Sequence, residues 1–318
     1  MQYRRLGRTG LNVSEIGYGA WGIGKAMWVG AEDEESIRSL KAARDAGVNF
    51  FDTALAYGAG HSEKLIARAF GKPPDVLIAS KVPPKNQVWP VPPGTPLREA
   101  FPKDYVLACL DQTLTNLGRD YVDLYQFHVW TDEWATQDEW LDTARQIRAS
   151  GKARAIGISI NDHQPANSLK VLDTGLVEVV QVIYNIFDQS PEDELFPYCR
   201  KHDIGVIARV PFDEGGLTGK IGPETTFPDG DFRERYFAGR KQEVWDRVQR
   251  IAKDTSMPMA NLPELALRFC LSDPAVSTVI PGMRNPAHVA ANTAASDAGP
   301  LPSEVLQKLR THRWVHNF

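Results

Sequence analysis

Cysteine is scarce in this chain, with three in 318 residues. Cys109, Cys199 and Cys270 are far apart and form no Cys-x-x-Cys pair, so their spacing supports neither a metal site nor a dithiol redox centre. Each falls in an apolar, helix-like pattern and reads as a buried free thiol. Long apolar runs are also missing. None approaches the roughly 18 residues that span a bilayer, so no membrane partner is expected. The opening Met1-Gln2-Tyr3-Arg4-Arg5-Leu6-Gly7 lacks the apolar core of a secretory leader. Together with the sparse thiols, this makes a reducing, cytoplasmic setting the expectation. Nor does one sign of charge dominate. Lys and Arg number 36 against 40 Asp and Glu, a net −4, which leaves no electrostatic footprint for nucleic acid.

What is present is the composition of a globular protein with a sizeable core, 42% hydrophobic and 24% charged. No linker or composition break divides it, and residues 1–318 are expected to form a single domain. After a hairpin over residues 2–15, turning at Gly7-Arg8-Thr9-Gly10, apolar runs read as buried strands. They lie at 16–18, 49–52, 76–81, 122–127, 155–158, 177–183, 205–208 and 276–280. Helical periodicity fills the gaps at 32–46, 62–70 with Ser62 as N-cap, 103–117, 133–150, 163–173, 192–202 and 243–271. Two further helices are expected at 286–295 and 303–313.

Eight strands, each followed by a helical segment, imply an α/β fold with a parallel sheet, and at this length a single (β/α)8 TIM barrel. The competing open, doubly wound sheet needs a phosphate fingerprint. Gly17-Tyr18-Gly19-Ala20-Trp21-Gly22 has the spacing, but its third glycine must open a helix. Here the chain continues through Ile23-Gly24-Lys25-Ala26-Met27-Trp28, so a loop is the better reading. Two long loops rich in Pro and Gly, at 83–96 and 215–239, are expected on the C-terminal face, where barrel active sites lie.

Polar residues gather at consecutive strand ends on that face: Asp52 and Tyr57, then Lys81, then His128. A phenol is a poor acid at neutral pH, and a nearby ammonium stabilises its phenolate. Asp52 would pair with Lys81 and hold it in place, and His128 could donate to a carbonyl oxygen. The set suits protonation of an oxyanion as it forms. A lyase using Lys81 as a Schiff base would need a neutral lysine, which the adjacent Asp52 opposes.

Residues 49–58 (Asn-Phe-Phe-Asp-Thr-Ala-Leu-Ala-Tyr-Gly), Ile78-Ala-Ser-Lys81, Asp123-Leu-Tyr-Gln-Phe-His128 and the opening Arg4-Arg-Leu-Gly-Arg-Thr-Gly-Leu-Asn-Val-Ser14 resemble the aldo-keto reductase superfamily. The likeness continues through Gly216-Leu-Thr-Gly-Lys220 and Ile280-Pro-Gly282. It implies reduction of an aldehyde or ketone by NAD(P)H in a (β/α)8 barrel whose bottom is closed by the hairpin. Tyr57 would be the general acid, Lys81 and Asp52 would tune it, and His128 would orient the carbonyl. A non-catalytic nicotinamide-nucleotide-binding subunit of the same fold is the alternative, although all four catalytic positions are intact.

The resemblance also assigns the cofactor. Gln181 matches a carboxamide-binding position. Ser159 matches another, but the expected adjacent Asn stands one place on, at Asn161. Arg209 replaces an aromatic that stacks on the nicotinamide in many relatives. It would either stack in its place or cap its strand and meet phosphate or solvent. Gly216, Leu217 and Gly219 correspond to the pyrophosphate loop. Gly282, Arg284, His288 and Asn292 correspond to the adenosine end, and Arg284 makes NADP(H) the expected cofactor over NAD(H).

Trp21, Trp28 and Trp130, with Trp89 as a further candidate, come from loops on the same face and are expected to wall an apolar pocket for a small-molecule carbonyl substrate. Trp134, Trp140 and Trp245 are expected in the core. The terminal stretch 313–318 would cover the pocket or pack on the barrel. Sequence leaves the oligomeric state open.

Overall fold

The computed structural model describes residues 1–314. Two strands, β1 (Tyr3–Arg5) and β2 (Asn12–Ser14), pair antiparallel as the expected hairpin. Next come β3 (Tyr18–Gly19), α1 (Asp33–Asp45), β4 (Phe50–Asp52), α2 (His61–Phe70), β5 (Leu77–Val82), α3 (Leu97–Ala100), α4 (Lys103–Leu117) and β6 (Val122–Phe127). The alternation continues with α5 (Asp138–Ala149), β7 (Ala153–Ser159), α6 (Leu169–Asp173), β8 (Val179–Ile183), α7 (Leu195–His202) and β9 (Gly205–Arg209). It ends with α8 (Phe232–Tyr236), α9 (Lys241–Thr255), α10 (Leu262–Leu271), β10 (Val276–Val279), α11 (Pro286–Asp297) and α12 (Ser303–Arg310).

Strands β3 to β10 are parallel and hydrogen-bonded in sequence order. The two edges meet through parallel bridges, Ile16 to Val279 and Gly19 to Gly282, which close the (β/α)8 barrel. Residues on one face of a strand recur every second position, and here the inward face changes character along its length. Leu77 and Ala79 precede Lys81, Leu124 precedes Gln126, Val179 precedes Gln181, and Ile207 precedes Arg209. The apolar members pack with Phe50, Ala155 and Ile280 into an inner core. Leu6, Leu11 and Val13 of the hairpin seal that core from below. The polar members are left for the upper rim.

The hairpin plug fits tightly. Gly7 has a positive φ of 51°, and a Cβ there would lie 2.2 Å from the amide nitrogen of Gly205. Gly157 plays a similar part inside the barrel, where a Cβ would come within 3.0 Å of Cγ of Gln126.

Several local expectations are corrected. Ser62 does not cap α2, which begins at His61 behind the left-handed Gly60. Its hydroxyl instead donates to Ala20 O at 3.0 Å and accepts from Thr53 Oγ1 at 2.9 Å. The expected helix at 133–150 is a short 3-10 turn (Asp132–Trp134) followed by α5. The turn is anchored at its first residue, where the Asp132 carboxylate accepts from the amides of Lys170 and Val171 at 2.8 and 3.2 Å, capping α6 from outside. The helix expected from His163 shrinks to Leu169–Asp173, since His163 has φ of 57° and its ring meets Asp188 at 2.6 Å. The segment expected at 192–202 splits into a 3-10 turn (Ser190–Glu192) and α7. The 215–239 loop carries α8 within it. Trp134 and Trp140 are buried as expected, whereas Trp245 is only half-buried, its ring beside Gly222. All three cysteines are free and buried. Trp314 packs edge-on against Phe187 at 5.2 Å; residues 315–318 of the terminal stretch lie outside the described residues.

Candidate active site

The short strand β4 ends in Asp52, and the turn after it lifts Tyr57 over the rim. One strand along, the inward face of β5 delivers Lys81. The lysine is completely buried, and its Nζ donates to Asp52 Oδ2 at 2.6 Å, to the carbonyl of Thr53 at 2.8 Å and to the Tyr57 hydroxyl at 3.3 Å. The same ammonium stands 4.9 Å from the centre of the Tyr57 ring. His128 follows β6, its ring edge-on to Tyr57 with centroids 5.6 Å apart. The four residues expected to act together are brought together.

Asp52 has partners that sequence reasoning missed. Its second oxygen accepts from Nε2 of Gln181 at 2.8 Å and Nε2 of Gln126 at 3.3 Å. Gln126 was legible in principle, since it lies two places before His128 on one strand and so on the same inner face. These donors fix a carboxylate that would be costly to bury alone.

The protonation states follow from this packing. Burial works against the Lys81 ammonium, but the Asp52 carboxylate offsets it, and the lysine holds its proton beyond its ordinary range. Burial pushes the Tyr57 phenol up as well, and the neighbouring Lys81 charge only partly opposes this. The lysine therefore does not make Tyr57 more acidic than a free phenol in this state. Burial, with the charges of Lys81 and Arg209, holds His128 well below the usual imidazole range, so it is neutral. Among the described residues its Nδ1 is buried without a hydrogen-bond partner.

The rim beyond β7 to β10 holds the other expected residues. Ser159 is buried at the end of β7. Asn161 is buried too; its Nδ2 donates to Val91 O at 3.2 Å, while its Oδ1 has no partner among the described residues. Arg209 donates through Nη2 to Ile160 O at 3.1 Å and Asp162 Oδ1 at 2.5 Å, and its Nε is buried without a partner. Beside it stands Glu214, in a left-handed backbone conformation, with its carboxyl pushed up to about 8 by burial and by Asp213.

The glycines have internal reasons to be glycine. A Cβ at Gly216 would come 2.8 Å from Asp213, and Gly219 has φ of 70°. The Leu217 side chain is in the core. A Cβ on Gly282, by contrast, would enter open space. Arg284 donates through Nη1 to Val29 O at 2.9 Å. His288 is exposed on the first turn of α11, its imidazole held down by partial burial and by the charges of Lys220 and Arg284. Asn292 is buried one turn further on.

The aromatic wall differs from expectation. Trp21 lies 6.3 Å from Tyr57 and 5.7 Å from Trp28. Trp28 itself rests against two arginines, Arg233 at 4.6 Å and Arg284 at 5.5 Å. Trp130 is fully buried, packed edge-on among Phe127, Trp134 and Trp140 at 5.1 to 6.2 Å. Its indole N–H donates to Asp132, so it forms no part of an open pocket. Trp89, by contrast, is 42% exposed and edge-on to His128 with centroids 4.5 Å apart. The Gly17–Gly22 run opens no α-helix; a 3-10 turn (Trp21–Ile23) follows, and α1 begins only at Asp33. Among the described residues no helix is long and apolar enough to cross a membrane, and no cluster of His, Cys, Asp and Glu could hold a metal ion.

The profile of the Aldo/keto reductase family matches residues 15–313. The chain is 30% identical to aldo-keto reductase YhdN of Bacillus subtilis, covering 92% of this chain and 87% of that one. It is 27% identical to the NADH-specific methylglyoxal reductase of Escherichia coli, covering 91% and 92%. The holo form of aldo-keto reductase AKR11C1 from Bacillus halodurans superposes with a TM-score of 0.75 at 27% identity, over 100% of this chain and 98% of that one. With its barrel, its plug and this match over most of its length, the chain belongs to the aldo/keto reductase family.

Proposed function

We propose that this protein reduces an aldehyde or ketone to an alcohol with a nicotinamide dinucleotide, NADPH in preference to NADH. The observation that carries the reading is the fully buried Lys81 ammonium bonded at once to the Asp52 carboxylate and the Tyr57 hydroxyl. A cation placed under a phenol favours loss of its proton in the transition state, when charge develops on the acceptor oxygen.

Tyr57 gives its proton to the carbonyl oxygen as that oxygen becomes an alkoxide. Lys81 stabilises the phenolate left behind, and Asp52, held by Gln126 and Gln181, keeps the lysine charged and in place. Neutral His128 directs its ring at the same oxygen and fixes the carbonyl. Trp21 and Trp89 shape an apolar mouth for the rest of the substrate.

The dinucleotide, when bound, supplies the hydride. The residues present fit it. The unpartnered Asn161 Oδ1 offers an acceptor to the carboxamide, with Ser159 and Gln181 beside it. Arg209 would lie along the dinucleotide, stacked on the nicotinamide or meeting phosphate, the Gly216-Leu217-Thr218-Gly219 backbone would follow the pyrophosphate, and Gly282, Arg284, His288 and Asn292 would take the adenosine end. Arg284 favours the phosphorylated dinucleotide, because only its Nη1 has a protein partner among the described residues. A bidentate edge remains for a phosphate.

The test is loss of NADPH absorbance with a panel of aldehydes and ketones, run beside Tyr57→Phe. Wild type is expected to turn over at least one carbonyl. The variant is expected to lose about 10²- to 10⁴-fold in kcat, the usual contribution of a general acid, with cofactor affinity unchanged. Full activity in Tyr57→Phe would remove that residue from the chemistry.

A further inference from the structure

Trp28 was expected to face substrate, yet its indole rests on the two guanidinium groups of Arg233 and Arg284. Each arginine is fixed on one side by the protein. Arg233 donates through Nε and Nη2 to the buried Asp231 carboxylate at 2.8 and 2.9 Å. Arg284 donates through Nη1 to Val29 O at 2.9 Å, on the residue next to Trp28. Gly22, in the same loop, leaves room for the Arg284 stem, since a Cβ there would lie 3.0 Å from Cδ of Arg284. The loop is itself anchored across the barrel mouth, where Phe232 N donates to Met27 O at 2.8 Å and Val29 N to Asp231 Oδ2 at 3.4 Å.

Two features of this cluster are unsatisfied. Like charges stand close together, and the Arg233 charge, after partial burial, lowers the proton affinity of Arg284. Among the described residues the Trp28 Nε1 donor is buried without an acceptor, and Nε and Nη2 of Arg284 have none. An oxyanion beside Arg284 would offset the like charges and meet the unpaired edge of its guanidinium. A planar guanidinium stacked on an indole keeps its fork pre-set, at little entropic cost when the anion arrives.

We propose that Trp28 is a specificity-determining residue of this reductase: it seats Arg284 for a phosphate on the adenosine ribose and so sets the preference for the phosphorylated dinucleotide. The proposal rests on the oxidoreductase reading above. It moves Trp28 from the substrate wall to the far end of the cofactor site.

Equilibrium binding of NADPH and NADH, read by quenching of protein fluorescence or by calorimetry, tests it on wild type, Trp28→Leu and Trp28→Phe. Trp28→Leu is expected to weaken NADPH about tenfold, the order expected for a charge-assisted hydrogen bond, and to leave NADH within about twofold. Trp28→Phe, which restores a ring face, is expected to recover part of the NADPH affinity and provides the test if the leucine variant fails to fold. Equal weakening of both dinucleotides, or no change in either, would overturn the proposal. Binding of neither dinucleotide to wild type would instead refute the oxidoreductase reading.

Discussion

At the scale of single residues, the site is a problem of holding charge without water. Lys81 and Tyr57 keep their protons beyond their ordinary ranges, and His128 is kept neutral below its own. The raised pair favours the folded state at and below the unfolded values of 10.5 and 10.0, and that contribution is lost as pH rises through the folded values. The depressed His128 does the opposite. Its contribution is present above 6.5 and is lost as pH falls toward the folded value. Between those limits Lys81, Tyr57 and His128 each keep one protonation state. We therefore expect kcat for carbonyl reduction to be flat from about pH 7 to 9 and to fall only above about pH 10. Glu214 beside Arg209 has its carboxyl pushed up to about 8 by burial and by Asp213, so cofactor affinity rather than kcat should change within this window. A step in kcat near pH 8 that persists in Glu214→Gln would show that Tyr57 or His128 is not poised in this way.

At the scale of elements, the sequence revealed periods better than exceptions to them. The eight strands and most helices were legible because buried parallel strands are short apolar runs and amphipathic helices repeat near 3.6 residues. The clustering of Asp52, Tyr57, Lys81 and His128 was legible because residues after consecutive strand ends meet on one rim in such a barrel. What escaped detection depended on distant partners. Glu133 and Trp134 drop out of their expected helix into a turn whose first residue, Asp132, caps α6, His163 leaves its own for Asp188, and Ser62 serves Ala20 and Thr53 rather than α2. Trp130 was misread for the same reason. An aromatic at the start of a loop looks like a pocket wall until the neighbouring Phe127, Trp134 and Trp140 are seen to enclose it. Trp130→Ala should therefore cost stability, about 3–5 kcal/mol for a fully buried tryptophan, without a specific rise in substrate KM. Denaturant unfolding and steady-state kinetics on the same preparation check this. A large KM change with unaltered stability would return Trp130 to the substrate site.

At the scale of the molecule, the barrel separates two tasks along each strand. The lower inner face is apolar and sealed by the hairpin, while the upper face holds Asp52, Lys81, Gln126, Gln181 and Arg209. Rigidity below gives the polar layer fixed positions above, which preorganised proton donation requires. This division also explains why reaction type was easier to read than substrate. Asp52 and Lys81 sit on strands, and Tyr57 and His128 lie within a few residues of strand ends, whereas the residues proposed to meet the substrate come from longer loops such as the one bearing Trp89. The most direct measurement is the fate of deuterium in a single turnover with NADPH labelled at nicotinamide C4 and an aldehyde that the protein reduces. The account predicts that the label from one face of C4 appears on the former carbonyl carbon of the alcohol in wild type, and that Tyr57→Phe slows its appearance by orders of magnitude. Label lost to solvent, or transferred equally fast by Tyr57→Phe, would contradict it.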